Sequence, residues 1–125
     1  MTLNEYQTKA MGTCMPSSAN FSYMFLNLIG EVGEFSSKVA KAIRKQELPI
    51  HCNDLEFTWM RETKGSAYTE QFRDELKKEA GDILWQLAGL CREMGWELED
   101  VAQENLDKLA SRKDRGVIDG SGDNR

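Results

Sequence analysis

Two long segments of the chain repeat apolar residues at the spacing of an α-helix, and this periodicity restricts the fold more than any other feature. Successive apolar positions are three or four residues apart, which places them on one helical face. The first segment contains Phe21, Phe25, Leu28, Val32, Phe35, Val39 and Ala42. The second segment contains Phe72, Leu76, Ala80, Ile83, Leu87, Leu90 and Met94. The sequence therefore predicts two long helices, each with one apolar face.

Shorter helices are predicted on either side of this pair. A first helix runs from Leu3 to about Cys14 with Thr2 as its N-cap, and a last helix runs from Leu98 to about Arg115. Residues 46–69 show no sustained period, so they are predicted to connect the two long helices, with a short helical turn near residues 55–60. The expected fold class is all-α, with four helices in a bundle-like arrangement.

The length of 125 residues is typical of one domain. We therefore expect a single domain over residues 1–125. Within it, residues 1–17 form an N-terminal helix and loop, residues 18–115 form the helical core, and residues 116–125 form a flexible Gly-rich tail.

Composition narrows the partners and the compartment. Sixteen Lys and Arg against 21 Asp and Glu leave a net charge of −5, which argues against a nucleic-acid partner and suits a protein that binds divalent cations. No run approaches the ~20 apolar residues that cross a bilayer, and no charged start leads into an apolar signal core, so no membrane association is expected. The three cysteines are widely spaced, which favours a reduced, cytoplasmic protein.

The strongest functional signal is an acidic motif that occurs once on each long helix. The first copy is E-V-G-E, from Glu31 to Glu34, and the second is E-A-G-D, from Glu79 to Asp82. Carboxylates three residues apart lie on one helical face. Each motif also contains a glycine, which costs a helix roughly 0.5–1 kcal/mol and indicates close approach by a neighbouring helix or a ligand.

If the two long helices pack together, these four carboxylates converge and repel each other. A divalent cation removes the repulsion, and ligands that are all oxygen favour Mg²⁺ or Mn²⁺ over zinc. Such a cation can neutralise phosphate charge and activate a water molecule. A single acidic pair is ordinarily a solvated surface feature, and it is the repetition that favours a metal site. The single histidine argues against a ferritin-like di-iron bundle, which needs two E-x-x-H motifs.

Three stretches resemble the MazG-like nucleoside triphosphate pyrophosphohydrolases of the all-α NTP pyrophosphatase superfamily. They are E-V-G-E-F at 31–35, E-A-G-D-I-L-W at 79–85 and the stretch 96–112, which contains N-x-x-K-L-x-x-R at 105–112. The resemblance implies Mg²⁺-dependent hydrolysis of an NTP or dNTP to the monophosphate and pyrophosphate, in house-cleaning or nucleotide-pool control. It also implies a homodimer or homotetramer. By motif match, the catalytic metal ligands would be Glu31, Glu34, Glu79 and Asp82.

Six further residues are candidates for substrate binding. By the resemblance, Asn105 and Lys108 belong to the fourth-helix motif and would contact phosphate or brace the acidic cluster. Lys38 lies one turn after Glu34, where it would face phosphate or form an ordinary helix ion pair. Asn27 lies one turn before Glu31 and would touch sugar or base. The basic end of the last helix compensates the helix dipole or binds triphosphate; its candidates are Arg112 and Arg115.

Two departures from the family pattern keep other interpretations open. Gly30 stands where the commonest pattern has a second glutamate next to Glu31, and 44 residues separate Glu34 from Glu79, more than the compact family spacing. A non-catalytic helical oligomer that binds metal or nucleotide is therefore the alternative. Within the superfamily, a dUTPase-like or phosphoribosyl-ATP pyrophosphatase-like specificity is also open.

Overall fold

In the computed structural model, which describes residues 1–51 and 54–119, almost all regular structure is helical. The helices of the described residues are α1 (Leu3–Met11), α2 (Phe21–Arg44), α3 (Phe57–Lys64), α4 (Ser66–Glu93) and α5 (Leu98–Asp114). A 3₁₀ turn spans Pro16–Ser18. Two short antiparallel strands, β1 (Ile50–His51) and β2 (Asp54–Leu55), pair Ile50 with Leu55. The predicted all-α class is confirmed.

The long helices α2 and α4 pack against each other in antiparallel orientation. Near the start of α2, Met24 contacts Gly89 near the end of α4. Farther along α2, the Lys38 ammonium lies 3.9 Å from the Glu75 carboxylate, which belongs to the first half of α4. A Cβ on Gly89 would lie 2.8 Å from the Met24 Cε and closer still to its sulfur. Glycine at this position therefore permits the close approach of the two helices.

Two apolar clusters stabilise opposite ends of the α2–α4 pair. The first joins α1, α2, α4 and α5 through Ala10, Met11, Met24, Ala88, Cys91 and Leu98. The second joins the far end of the pair to the connection through Ala42, Leu48, Met60, Phe72 and Leu76. The two acidic motifs lie along the helices between these clusters, so rigid packing on both sides holds the carboxylates in place.

Hydrogen bonds attach α1 to α4 and α5. The Gln7 side-chain amide donates to the carbonyl oxygens of Ala88 and Trp96 and accepts from the Leu98 backbone N–H. The Trp85 indole N–H donates to the Ala10 carbonyl oxygen at 3.1 Å. Because Gln7 is buried, these bonds satisfy polar groups that burial would otherwise penalise.

The connection between the long helices contains more structure than its lack of periodicity indicates. It holds the β1–β2 pair and a helix of eight residues, α3, in place of a short turn, and α4 begins at Ser66, within the predicted connection 46–69. Two of its residues, Leu48 and Met60, are fully buried in the second apolar cluster. The four predicted helices are present as α1, α2, α4 and α5, with α1 ending at Met11.

Two further predictions from the sequence concern the C-terminal tail and membrane association. Of the predicted tail, residues 120–125 lie outside the described residues. In the part of the chain that the structure describes, no helix is both long and apolar enough to cross a bilayer.

Candidate metal centre

Three carboxylates from the two acidic motifs converge between α2 and α4. Glu31 and Glu34 project from one face of α2, and Glu79 projects from α4. One carboxylate oxygen of each lies within 4.8 Å of the others. Glu34 is exposed, whereas Glu79 is only 9% exposed. The cluster therefore opens to solvent at one side while α4 supplies its buried wall.

Asp82 lies at the edge of this cluster. It follows Glu79 by one turn of α4, and its charge contributes to the raised pKa of Glu31. It also contributes, after burial, to the raised pKa of Tyr6 on α1. Its carboxylate is not one of the three that meet within 4.8 Å. The structure thus brings three of the four predicted ligands together and holds the fourth beside them.

The pKa of the Glu31 carboxyl group is raised within the cluster. Burial contributes most to raising the pKa of its carboxyl group, followed by the charges of Glu34 and Asp82. Asn27 acts in the opposite direction, because its side-chain amide donates to the Glu31 Oε1 at 2.9 Å. A group whose charged form is disfavoured by neighbouring carboxylates is stabilised by a cation at the same place.

The donor set fits a small hard cation. Mg²⁺ takes oxygen ligands at about 2.0–2.1 Å in octahedral geometry, so opposite ligands lie about 4.2 Å apart. Of three octahedral ligands at least two pairs are adjacent, about 3 Å apart, so the three carboxylate oxygens, all within 4.8 Å of one another, move closer together to share one cation. With oxygen as the donor of all three, Mg²⁺ or Mn²⁺ suits the cluster better than zinc, which favours nitrogen and sulfur.

Lys38 forms its ion pairs across the helix interface. Its ammonium lies 3.3 Å from the Glu79 Oε1 and 3.9 Å from the Glu75 Oε2, both on α4. The pair that sequence spacing indicated, with Glu34 on the same helix, is not the one formed. Sequence reasoning also missed Glu75, although it lies one helical turn before Glu79 and therefore on the same face.

Among the described residues, no neighbouring helix packs closely against the motif glycines. A Cβ built on Gly33 or Gly81 would meet nothing within 4 Å, and one on Gly30 would meet only Asn27 at an ordinary 3.6 Å. The expected close approach of a neighbouring helix occurs instead at Gly89. Of the two reasons given for the motif glycines, contact with a ligand is compatible with this open space, as is contact with a second chain.

Three of the predicted residues lie on α5 and Arg115 follows its end, and the contacts described for these four residues are separate from the cluster. Asn105 and Lys108 line a surface cavity of about 370 Å³ with Val101 and Glu104, and none of the clustered glutamates lines it. Arg112 is buried, and the Arg115 Nε donates to the Ser111 carbonyl oxygen at 3.3 Å. Their assignment to phosphate stays a prediction.

Comparisons with known proteins identify the family. The sequence model of the MazG nucleotide pyrophosphohydrolase domain matches residues 20–117, which include α2, α4 and α5. The chain is also 37% identical to the gene 37 protein of Mycobacterium phage L5, over a 132-residue alignment that covers all of both proteins. No solved structure matches significantly. Since the family match covers most of the chain and includes both acidic motifs, the protein belongs to the MazG nucleotide pyrophosphohydrolase family.

Proposed function

We propose that the protein hydrolyses nucleoside or deoxynucleoside triphosphates to the monophosphate and pyrophosphate, with Mg²⁺ or Mn²⁺ as cofactor, in house-cleaning or control of the nucleotide pool. The observation that carries this proposal is the convergence of the Glu31, Glu34 and Glu79 carboxylates within 4.8 Å. A cluster of this kind has no stabilising role of its own, because like charges close together repel. Family membership supports the reaction type.

The residues of the site have three proposed roles. The cation would be held by the four carboxylates of Glu31, Glu34, Glu79 and Asp82. When bound, it neutralises phosphate charge and lowers the pKa of a water molecule. Asn27 orients the Glu31 carboxylate through its hydrogen bond. The Lys38 ammonium, which is half-buried beside Glu79, would contact a phosphate oxygen of the substrate.

An oligomer would complete the site. The described part of the chain leaves apolar side chains of α2 and α5 in solvent, among them Ile29 at 58% exposure and Leu106 at 59%. Exposed apolar side chains that lie together on a helix face are a feature of protein–protein interfaces. We therefore propose a homodimer or homotetramer, in which Asn105, Lys108, Arg112 and Arg115 of one subunit would contact the substrate bound by another.

The test is release of pyrophosphate from a panel of the eight common NTPs and dNTPs, with Mg²⁺ or Mn²⁺. We expect turnover of at least one nucleotide, and loss of that turnover in Glu34→Gln. The matched control is Glu62→Gln, which removes an exposed carboxylate from α3 and should retain full activity. If the assembled wild-type protein turns over none of the panel, the proposed activity is wrong.

A non-catalytic oligomer that binds metal or nucleotide is the second candidate, and Gly30 favours it. The commonest family pattern has a glutamate at this position, and this chain has a glycine. One carboxylate fewer is therefore available to orient a water molecule. Nucleotide binding without turnover in the same panel would support this candidate. Adding dUTP and phosphoribosyl-ATP to the panel tests the two alternative specificities within the superfamily.

A further inference from the structure

We propose that a lysine-lined cavity next to the carboxylate cluster binds the pyrophosphate part of the substrate and the pyrophosphate product; this inference rests on the proposed function. The cavity has a volume of about 210 Å³ and lies between α2 and α4. Lys38 and Lys41 line it from α2, Lys45 from the position directly after α2, and Tyr68 and Glu75 from α4. The lysine spacing of three and four residues places all three ammonium groups on one helical face.

The charges that line the cavity leave a positive excess. Its two carboxylates are already engaged: Glu75 pairs with Lys38 at 3.9 Å, while Glu47 lies 3.9 Å from the Lys64 ammonium and accepts a 2.9 Å hydrogen bond from the Tyr68 hydroxyl. Within the described part of the chain, Lys41 and Lys45 have no ion pair. Two ammonium groups thus remain available for an anion that enters the cavity.

Lys38 connects this cavity to the carboxylate cluster. The same ammonium that lines the cavity lies 3.3 Å from Glu79, one of the three converging glutamates. An anion in the cavity would therefore lie immediately beside a cation held by the cluster. A polyphosphate chain is negatively charged, so the carboxylates alone would repel it. A cation in the cluster and ammonium groups in the adjacent cavity would both attract it.

The position of the cavity also orients the substrate along α2. Asn27 lies one turn before Glu31, and the lysines begin one turn after Glu34. With the terminal phosphates on the lysines, the nucleoside would extend toward the N-terminal half of α2. Lysine suits this role because an ammonium group is a compact point charge with three donors, and it accepts phosphate oxygens from several directions.

The competing explanation is that Lys41 and Lys45 only compensate the dipole at the C-terminal end of α2. Binding of inorganic pyrophosphate in metal-free buffer, measured by titration calorimetry, separates the two. We expect the wild-type protein to bind it and Lys41→Gln,Lys45→Gln to bind it about tenfold or more weakly. The control Lys9→Gln,Lys77→Gln removes the same charge from exposed positions outside the cavity and should bind like the wild type. Equal affinity in all three proteins, or an equal loss in both double variants, would overturn the proposal.

A kinetic measurement separates this inference from the proposed function. In a protein that turns over nucleotide, Lys41→Gln,Lys45→Gln should raise KM and weaken inhibition by added pyrophosphate by about tenfold. Unchanged inhibition with intact turnover would refute the cavity assignment and leave the proposed function standing. If the wild-type protein binds pyrophosphate through these lysines but turns over no nucleotide, the cavity assignment stands and the proposed function is wrong.

Discussion

At the scale of single residues, the Glu31 carboxyl group is less easily ionised in the folded protein than in the unfolded chain. Its pKa is raised, first by burial and then by the charges of Glu34 and Asp82. In the pH range between its ordinary value of 4.5 and the raised value, the folded protein binds more protons at this group than the unfolded chain does. Stability contributed by Glu31 therefore falls as pH rises through this range, and the penalty is complete above it.

This sign leads to a prediction for the metal-free protein. In chelator at about pH 7.5, Glu31→Gln should raise the Tm, because the amide removes a repelled charge and its oxygen still accepts from Asn27. The gain should disappear below about pH 4, where the wild-type carboxyl group is protonated as well. Thermal melts across this pH range provide the measurement. A lower Tm at pH 7.5, or a gain independent of pH, would contradict the assignment of repulsion to Glu31.

A bound cation should reverse the same repulsion. We expect millimolar Mg²⁺ to raise the Tm of the wild-type protein by several degrees, since a ligand at 100 times its Kd stabilises the folded state by about 2.7 kcal/mol. The shift should vanish in Glu79→Gln,Asp82→Asn, which removes the α4 half of the site. An equal shift in this double variant would mean that the salt acts elsewhere. Glu62→Gln, on α3, is the control that should keep the full shift.

At the scale of elements, two glycines of α4 have opposite roles. Gly89 faces the fully buried Met24, so an added methyl group there must displace the methionine side chain. Gly81 has open space around its Cβ position. We expect Gly89→Ala to destabilise the protein by about 1 kcal/mol, because overpacking outweighs the gain in helix propensity. Gly81→Ala should stabilise it by about 0.5–1 kcal/mol. Urea titrations of the two variants measure the change in the free energy of unfolding. If Gly89→Ala is stabilising, the Met24 side chain moves aside at little cost and the predicted overpacking is wrong.

The same pair explains how far sequence reasoning reaches. Periodicity predicts α2 and α4 because each has an unbroken apolar stripe, and the repeated acidic motif predicts that carboxylates from both helices meet. Neither pattern determines how far one helix is shifted along the other. The shift depends on the packing of particular side chains, such as Met24 against Gly89. The sequence alone therefore does not predict which carboxylates of α4 pair with Lys38. The connection was underestimated for a related reason: α3 has only eight residues, too few to establish a period.

At the scale of the whole molecule, the carboxylate cluster depends on packing at both ends of the α2–α4 pair. The two apolar clusters hold the helices against the repulsion of the glutamates between them. Other apolar side chains of α2 and α5 remain in solvent, including Leu26 at 66% exposure. One chain therefore leaves part of the apolar surface of α2 and α5 uncovered, which supports the proposed oligomer.

The last prediction tests this interpretation through the mass of the protein in solution. Light scattering after size-exclusion chromatography should give two or four times the chain mass for the wild type. Leu26→Gln,Leu106→Gln places an uncharged polar group on each exposed apolar surface, and it should shift the protein toward the monomer without changing helix content. Met15→Gln, at a position that is 67% exposed outside both helices, should leave the mass unchanged. A wild-type monomer at all concentrations would contradict the assembly.

The turnover of the same double variant tests whether one site needs two subunits. If the double variant becomes monomeric and also loses pyrophosphate release while its Mg²⁺-dependent Tm shift remains, the α5 residues act on the substrate of a neighbouring subunit. If it becomes monomeric with full turnover, each chain carries a complete site.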